Sequence, residues 1–121
     1  FWKTATGIGF KWEKYAAKLL NATHRKFQRG HDLDWNNKTV DVKVANLYRR
    51  KYKRGQPVKS KQRGVWAFHR ENKFTPDFFL CIALLNQKPF KILLIPSKEF
   101  SISGLVLGWK SKYDKFLFSS S

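Results

Sequence analysis

The chain has 121 residues, with Lys+Arg 25 against Asp+Glu 8 and a formal net charge of +17. A hydrophobic fraction of 42%, with Phe 11 and Trp 5, excludes a disordered chain and fits a single domain spanning 1–121 around one core. Its longest apolar run, Phe78 to Leu85, is too short to cross a bilayer, no secretory signal pattern is visible, and no membrane partner is expected.

The sequence pI near 10.3 favours a polyanion as partner, because each cation set near a phosphate releases counterions. The alternative is a lysine-rich surface that only keeps the protein soluble. The single cysteine, Cys81, lies inside the apolar run and is expected as a buried thiol in a reducing, intracellular setting. Cytoplasm, nucleoid, nucleus or a phage- or virus-encoded origin all fit that setting. The chain starts at Phe1 without a Met, as expected of a chain lacking its initiator or of a piece of a longer one.

In chain order, Gly9 to Asn21 reads as an amphipathic helix. Lys11, Lys14 and Lys18 make one polar face, and Trp12, Ala16, Leu19 and Leu20 lie on the other side. Glu13 shares its stripe with Phe10, Ala17 and Leu20. A carboxylate there costs free energy unless something pairs with it, although a Glu at the stripe's edge can also reach sideways to a lysine. His24 to Gln28 is a candidate first strand.

The stretch "HDLDWNNKTVDVKVA", His31 to Ala45, concentrates acids in a chain short of them. Asn36-Asn37 suits a two-residue hairpin turn, since Asn tolerates the left-handed backbone such turns need. Counting outward, Trp35 faces Lys38, Asp34 faces Thr39, Leu33 faces Val40 and Asp32 faces Asp41. Alternation then puts Leu33, Val40, Val42 and Val44 on a core face and Asp32, Asp34, Asp41 and Lys43 on the other. Opposed carboxylates repel. A divalent cation offsets that repulsion, and hard cations such as Mg²⁺ favour a few carboxylate oxygens with water and phosphate. The competing reading is an ordinary salt-bridged solvent face.

The segment 47–64 is a basic loop, with Arg49, Arg50, Lys51, Lys53, Arg54, Lys59, Lys61 and Arg63 and no acid. It is expected to contact nucleic acid, against the alternative of a solvated surface loop. Tyr48 and Tyr52 are interleaved with these cations. Val65 to His69, Phe78 to Leu85 and Phe90 to Pro96 read as strands, with a turn over Asn86 to Pro89. Ser101 to Gly108 is a further candidate strand. Ser111 to Leu117 is expected as a short terminal helix capped by Ser111. The fold class is thus mixed α/β, with one early helix and a mixed sheet of about five to six strands. Trp35, Trp66 and Trp109 are expected in the core or an interface. His24, His31 and His69 lack metal-ligand spacing.

Glu13, then "HDLDW", then "VDVKVA" resembles the PD-(D/E)XK nuclease superfamily, in particular small resolvase, homing and Mrr-like endonucleases. The resemblance covers most of residues 8 to 100. It implies a restriction-endonuclease-like core with Glu13 on the first helix, Asp32 as the motif Asp, and Asp41 and Lys43 as the (D/E)-x-K pair. It departs from the pattern in having His31 rather than Pro before Asp32 and Asp41 in place of the commoner Glu. Asp34 and His31 are further candidates near the site. The literal Pro76-Asp77 has no following acid-x-lysine and is expected to open a strand.

The resemblance implies Mg²⁺-dependent hydrolysis of DNA phosphodiester bonds, with Mn²⁺ as a substitute. Asp32, Asp41, Glu13 and the Val42 backbone carbonyl would bind metal, and Lys43 would orient water or stabilise transition-state charge. Cutting two strands implies a homodimer or higher homo-oligomer. Two alternatives remain: a non-catalytic basic DNA-binding module, and an RNA-directed nuclease on the same fold.

Overall fold

The computed structural model describes residues 5–24, 32–48, 64–70 and 75–120, with side chains from Lys11 and up to Phe118. The expected cations Arg49, Arg50, Lys51, Lys53, Arg54, Lys59, Lys61 and Arg63, together with His31 and Tyr52, lie outside the described residues.

Helix α1 spans Ala5–Leu20, starting before the expected Gly9. Its end has a local cause. Asn21 takes φ 54, its amide donates to the Lys18 carbonyl, and the Ala22 amide donates to the Ala17 carbonyl. That pair of bonds is the left-handed closure that satisfies a helix's last carbonyls. The chain then reverses into strand β1, Thr23–His24. Only His24 of the expected His24 to Gln28 strand is described, and residues 25–28 lie outside the description.

Strands β2 (Leu33–Trp35) and β3 (Lys38–Asn46) form the expected hairpin. Asn36 and Asn37 have φ 48 and 64, the left-handed pair a tight hairpin turn requires. The register is Leu33↔Val40, Asp34↔Thr39 and Trp35↔Lys38, as counted from the sequence. The ladder ends there and does not continue to an Asp32↔Asp41 pair. Instead the Asp32 amide donates to the Val40 carbonyl, and the Asp32 carboxylate accepts the Val42 amide at 2.8 Å. A side chain thus takes the place of a strand neighbour for Val42.

A second hairpin joins β5 (Phe78–Leu85) to β6 (Lys88–Pro96). Its turn again has two left-handed residues, Asn86 and Gln87, at φ 52 and 64. β5 pairs parallel with β3, and β6 pairs antiparallel with β5. The parallel seam is fastened at one end by Thr39 and Asp77. The Asp77 carboxylate accepts from the Thr39 amide and hydroxyl, and the Thr39 hydroxyl accepts from the Asp77 amide. Asp77 therefore opens a strand, as expected.

The C-terminal third departs most from expectation. The expected strand over Ser101 to Gly108 shortens to β7, Leu105–Leu107. Gly104, at φ +105, breaks the run before it. β7 pairs with β4 (Trp66–Phe68) in a separate two-stranded sheet. The expected terminal helix is a 3₁₀ turn, Lys112–Phe116, capped by Ser111 in reciprocal bonds with Asp114. It leads into β8 (Leu117–Ser120), which the sequence reading lacked. The main sheet is six-stranded, in the order β1-β2-β3-β5-β6-β8, with only the β3–β5 pair parallel.

Three layers result. Buried Trp12, Ala16, Ala17 and Leu20 of α1 pack on Leu33, Val40, Leu80, Ile82 and Ile92 of the sheet. On the opposite face, Phe79, Cys81, Leu93 and Ile95 pack under Trp66, Phe68, Phe100 and Leu107. Trp66 is fully buried, and its indole N–H donates to the Leu84 carbonyl at 2.8 Å. Because β5 is covered on both sides, its apolar residues run without alternation. Cys81 is among them, and burial pushes its thiol well above the ordinary range. No described helix is long and apolar enough to cross a membrane.

Candidate functional site

Strand alternation divides β3 between the two layers. Val40, Val42 and Val44 pack toward α1, and Asp41 and Lys43 point to the other face, level with Phe79 and Cys81 of β5. Asp41 and Lys43 are two residues apart and therefore neighbours. The Lys43 Nζ stands 3.1 Å from an Asp41 carboxylate oxygen, with both side chains about one-fifth exposed.

Asp32 lies off the end of β2, at the open edge of β3. From there its carboxyl interacts with Asp41 on one side and Glu13 of α1 on the other. The structure thus brings together the four residues singled out in the sequence, in the spatial order Glu13, Asp32, Asp41, Lys43. Asp34 sits elsewhere in the ladder, between Thr23 and Thr39.

The electrostatics follow from crowding. Burial first, and then the hydrogen bond to Asp32, push the Asp41 carboxyl up to about 7 against the opposing pull of Lys43. Burial also raises Asp32, opposed by its bonds to Asp41 and to the Val42 amide. Both carboxyls are thus held above the ordinary range, with Glu13 adding to the rise at Asp32, so the pair retains protons that free carboxyls would lose.

Among the described residues, no group of three or more His, Cys, Asp or Glu converges as a ready cage for a cation. The pair Asp32–Asp41 is a smaller donor set, of the kind a hard divalent ion completes with water and phosphate. The Val42 carbonyl adds a third oxygen on the same edge. A strand residue's amide and carbonyl leave on one side, and the Val42 amide is directed at Asp32.

One neighbour was not singled out from the sequence. The His24 Nε2 stands 3.6 Å from the Glu13 carboxylate. No spacing rule finds this pair, because the left-handed turn at Asn21 is what folds β1 back beside the helix. His69 is exposed and outside both cores.

No family model matches the chain, and no curated protein matches it at a significant level.

Proposed function

We propose that this chain is a Mg²⁺-dependent DNA endonuclease of the PD-(D/E)XK type on a restriction-endonuclease-like core. The observation that carries the reading is the run Glu13–Asp32–Asp41–Lys43, in which the acids and the lysine meet at the open edge of β3. Acids massed at one point of a chain with a net charge of +17 suit a cation site set within a phosphate-attracting surface.

Asp32, Asp41 and the Val42 carbonyl would hold Mg²⁺, with Glu13 beside them. The bound ion would supply charge neutralisation and a water acidic enough to ionise near neutral pH. Lys43, held against Asp41, orients the attacking water and faces the charge that builds on the phosphoryl oxygens. Glu13, in contact with Asp32, would accept a hydrogen bond from water; its charge opposes that of the Asp32 carboxylate, a repulsion a bound cation would offset. Asp32 is itself oriented by the Val42 amide, which donates to one of its carboxylate oxygens. Hydrolysis proceeds by in-line displacement at phosphorus, and cutting both strands calls for two copies of the chain. A homing, a restriction-type and a junction-resolving enzyme share this chemistry.

The test is cleavage of supercoiled plasmid and of a synthetic four-way junction, in Mg²⁺ or EDTA, with wild type and Lys43→Ala. Metal-dependent cutting that falls about 10²–10³-fold in the variant is the expected result. Binding of both DNAs with no cutting of either would favour the non-catalytic binding module instead.

A further inference from the structure

The lysine face of α1 is not used by the chemistry above. Lys11, Lys14 and Lys18 are all exposed, and with Tyr15, Ala17 and His24 they line a groove of about 750 Å³ along the helix. Counting three and four residues either way from each of these lysines meets no acid. A helix face that serves only solvation usually interleaves signs, since like charges four apart cost a few tenths of a kcal/mol each. Here Lys14 and Lys18 are such a like pair.

We infer that this groove is a track for the phosphate backbone of duplex DNA, leading a strand to the acid run through their shared wall at His24. The inference rests on the DNA reading above and adds the path of the substrate. At a helical rise of 1.5 Å per residue, Lys11 to Lys18 spans about 10 Å. That matches about three nucleotide steps at 3.4 Å of axial rise per strand phosphate. His24 lines the groove and also stands 3.6 Å from Glu13, which contacts Asp32, so the groove shares a wall with the near end of the acid run. Charge complementarity selects the occupant. The residues lining it include three lysines and no carboxylate, and two of them, Ala17 and Ala22, are small.

The test is fluorescence anisotropy of a short labelled DNA duplex of random sequence, in EDTA, across a salt series. Lys11→Gln, Lys14→Gln and Lys18→Gln are combined, because Gln keeps the helix propensity of Lys. The slope of log affinity against log salt should become shallower by about 2–3, at about 0.9 per phosphate contact. Each single variant should contribute about one unit, which keeps the result readable if the triple variant folds poorly by circular dichroism. A folded variant with the wild-type slope overturns the inference and leaves the endonuclease reading standing. A reduced slope with no cleavage by wild type supports the track and removes the endonuclease. Capture of wild type through these lysines by vesicles of phosphatidylserine and phosphatidylcholine, with no binding of the duplex, overturns the track.

Discussion

Asp41→Asn keeps the shape of the side chain and removes its charge, so it isolates the cost of burying that charge beside Asp32. Asp41 rises from 3.8 in the unfolded chain to about 7 in the fold. Between those values the unfolded chain has lost the proton and the folded chain retains it. Stability from this group is therefore fully present below about pH 4 and is lost as the pH climbs through about 7. At about 1.4 kcal/mol per pH unit, the whole interval amounts to ~4 kcal/mol, with ~3 kcal/mol of it lost between about pH 5 and pH 8. Little of this is screened, since the side chain is only 21% exposed. The Asn amide can donate to Asp32 as the protonated carboxyl does, so the variant should escape the loss. The assay is urea unfolding in EDTA across that range. With a slope of ~2 kcal/mol/M, the wild-type midpoint should fall relative to the variant by on the order of 1–2 M. Curves that stay parallel from about pH 5 to pH 8 would refute the raised, buried Asp41 carboxyl. Mg²⁺ at pH 8 should restore stability to wild type and not to Asp41→Asn.

Other positions give sharper structural tests. Lys91 is buried on β6, where its ammonium donates to the Trp109 carbonyl and to the Asp114 carboxylate at 2.9 Å. Lys91→Met should cost about 2–4 kcal/mol by chemical denaturation, because Asp114 and the carbonyl lose their partner together. Gly104→Ala should cost at least ~2 kcal/mol, since its φ is +105 and a Cβ there would stand 2.6 Å from the Phe68 carbonyl oxygen. Asn37→Gly should leave the register intact and raise the thermal midpoint slightly, because Gly holds φ 64 at no steric cost.

What the sequence disclosed depended on the range of the causes. The first hairpin was legible from its turn out to Leu33↔Val40, because Asn36-Asn37 and the alternation around them act over a few positions, but the counted Asp32↔Asp41 pair does not form. β5 was legible because eight consecutive apolar residues need cover on two faces. Glu13 stood out as a carboxylate in an apolar stripe, and it does lie against Asp32. The failures are long-range. β8 has a short and mixed pattern, "LFSS", and becomes a strand because β6 offers an edge for it to pair with. β4 and β7 look like members of the main sheet, but they leave it to cover Cys81 and Phe79. Lys91 sits in an apolar run without revealing that Asp114 will reach it. His24 needed the reversal at Asn21 before it could be placed beside Glu13.

The two hairpins differ in kind from the parallel seam that joins them, and the order of assembly follows. Each hairpin closes through a two-residue turn, an event of microseconds. The seam must bring Thr39 to Asp77 across 38 positions of chain, with a loop-closure penalty met before any pairing rewards it. Asp32 and Asp41 belong to the first hairpin and meet when it zips. Their repulsion therefore acts from the closing of that hairpin onward, while the burial of Asp41 is completed when the seam docks. A divalent cation or a mildly acidic solution should accordingly speed folding and not merely slow unfolding.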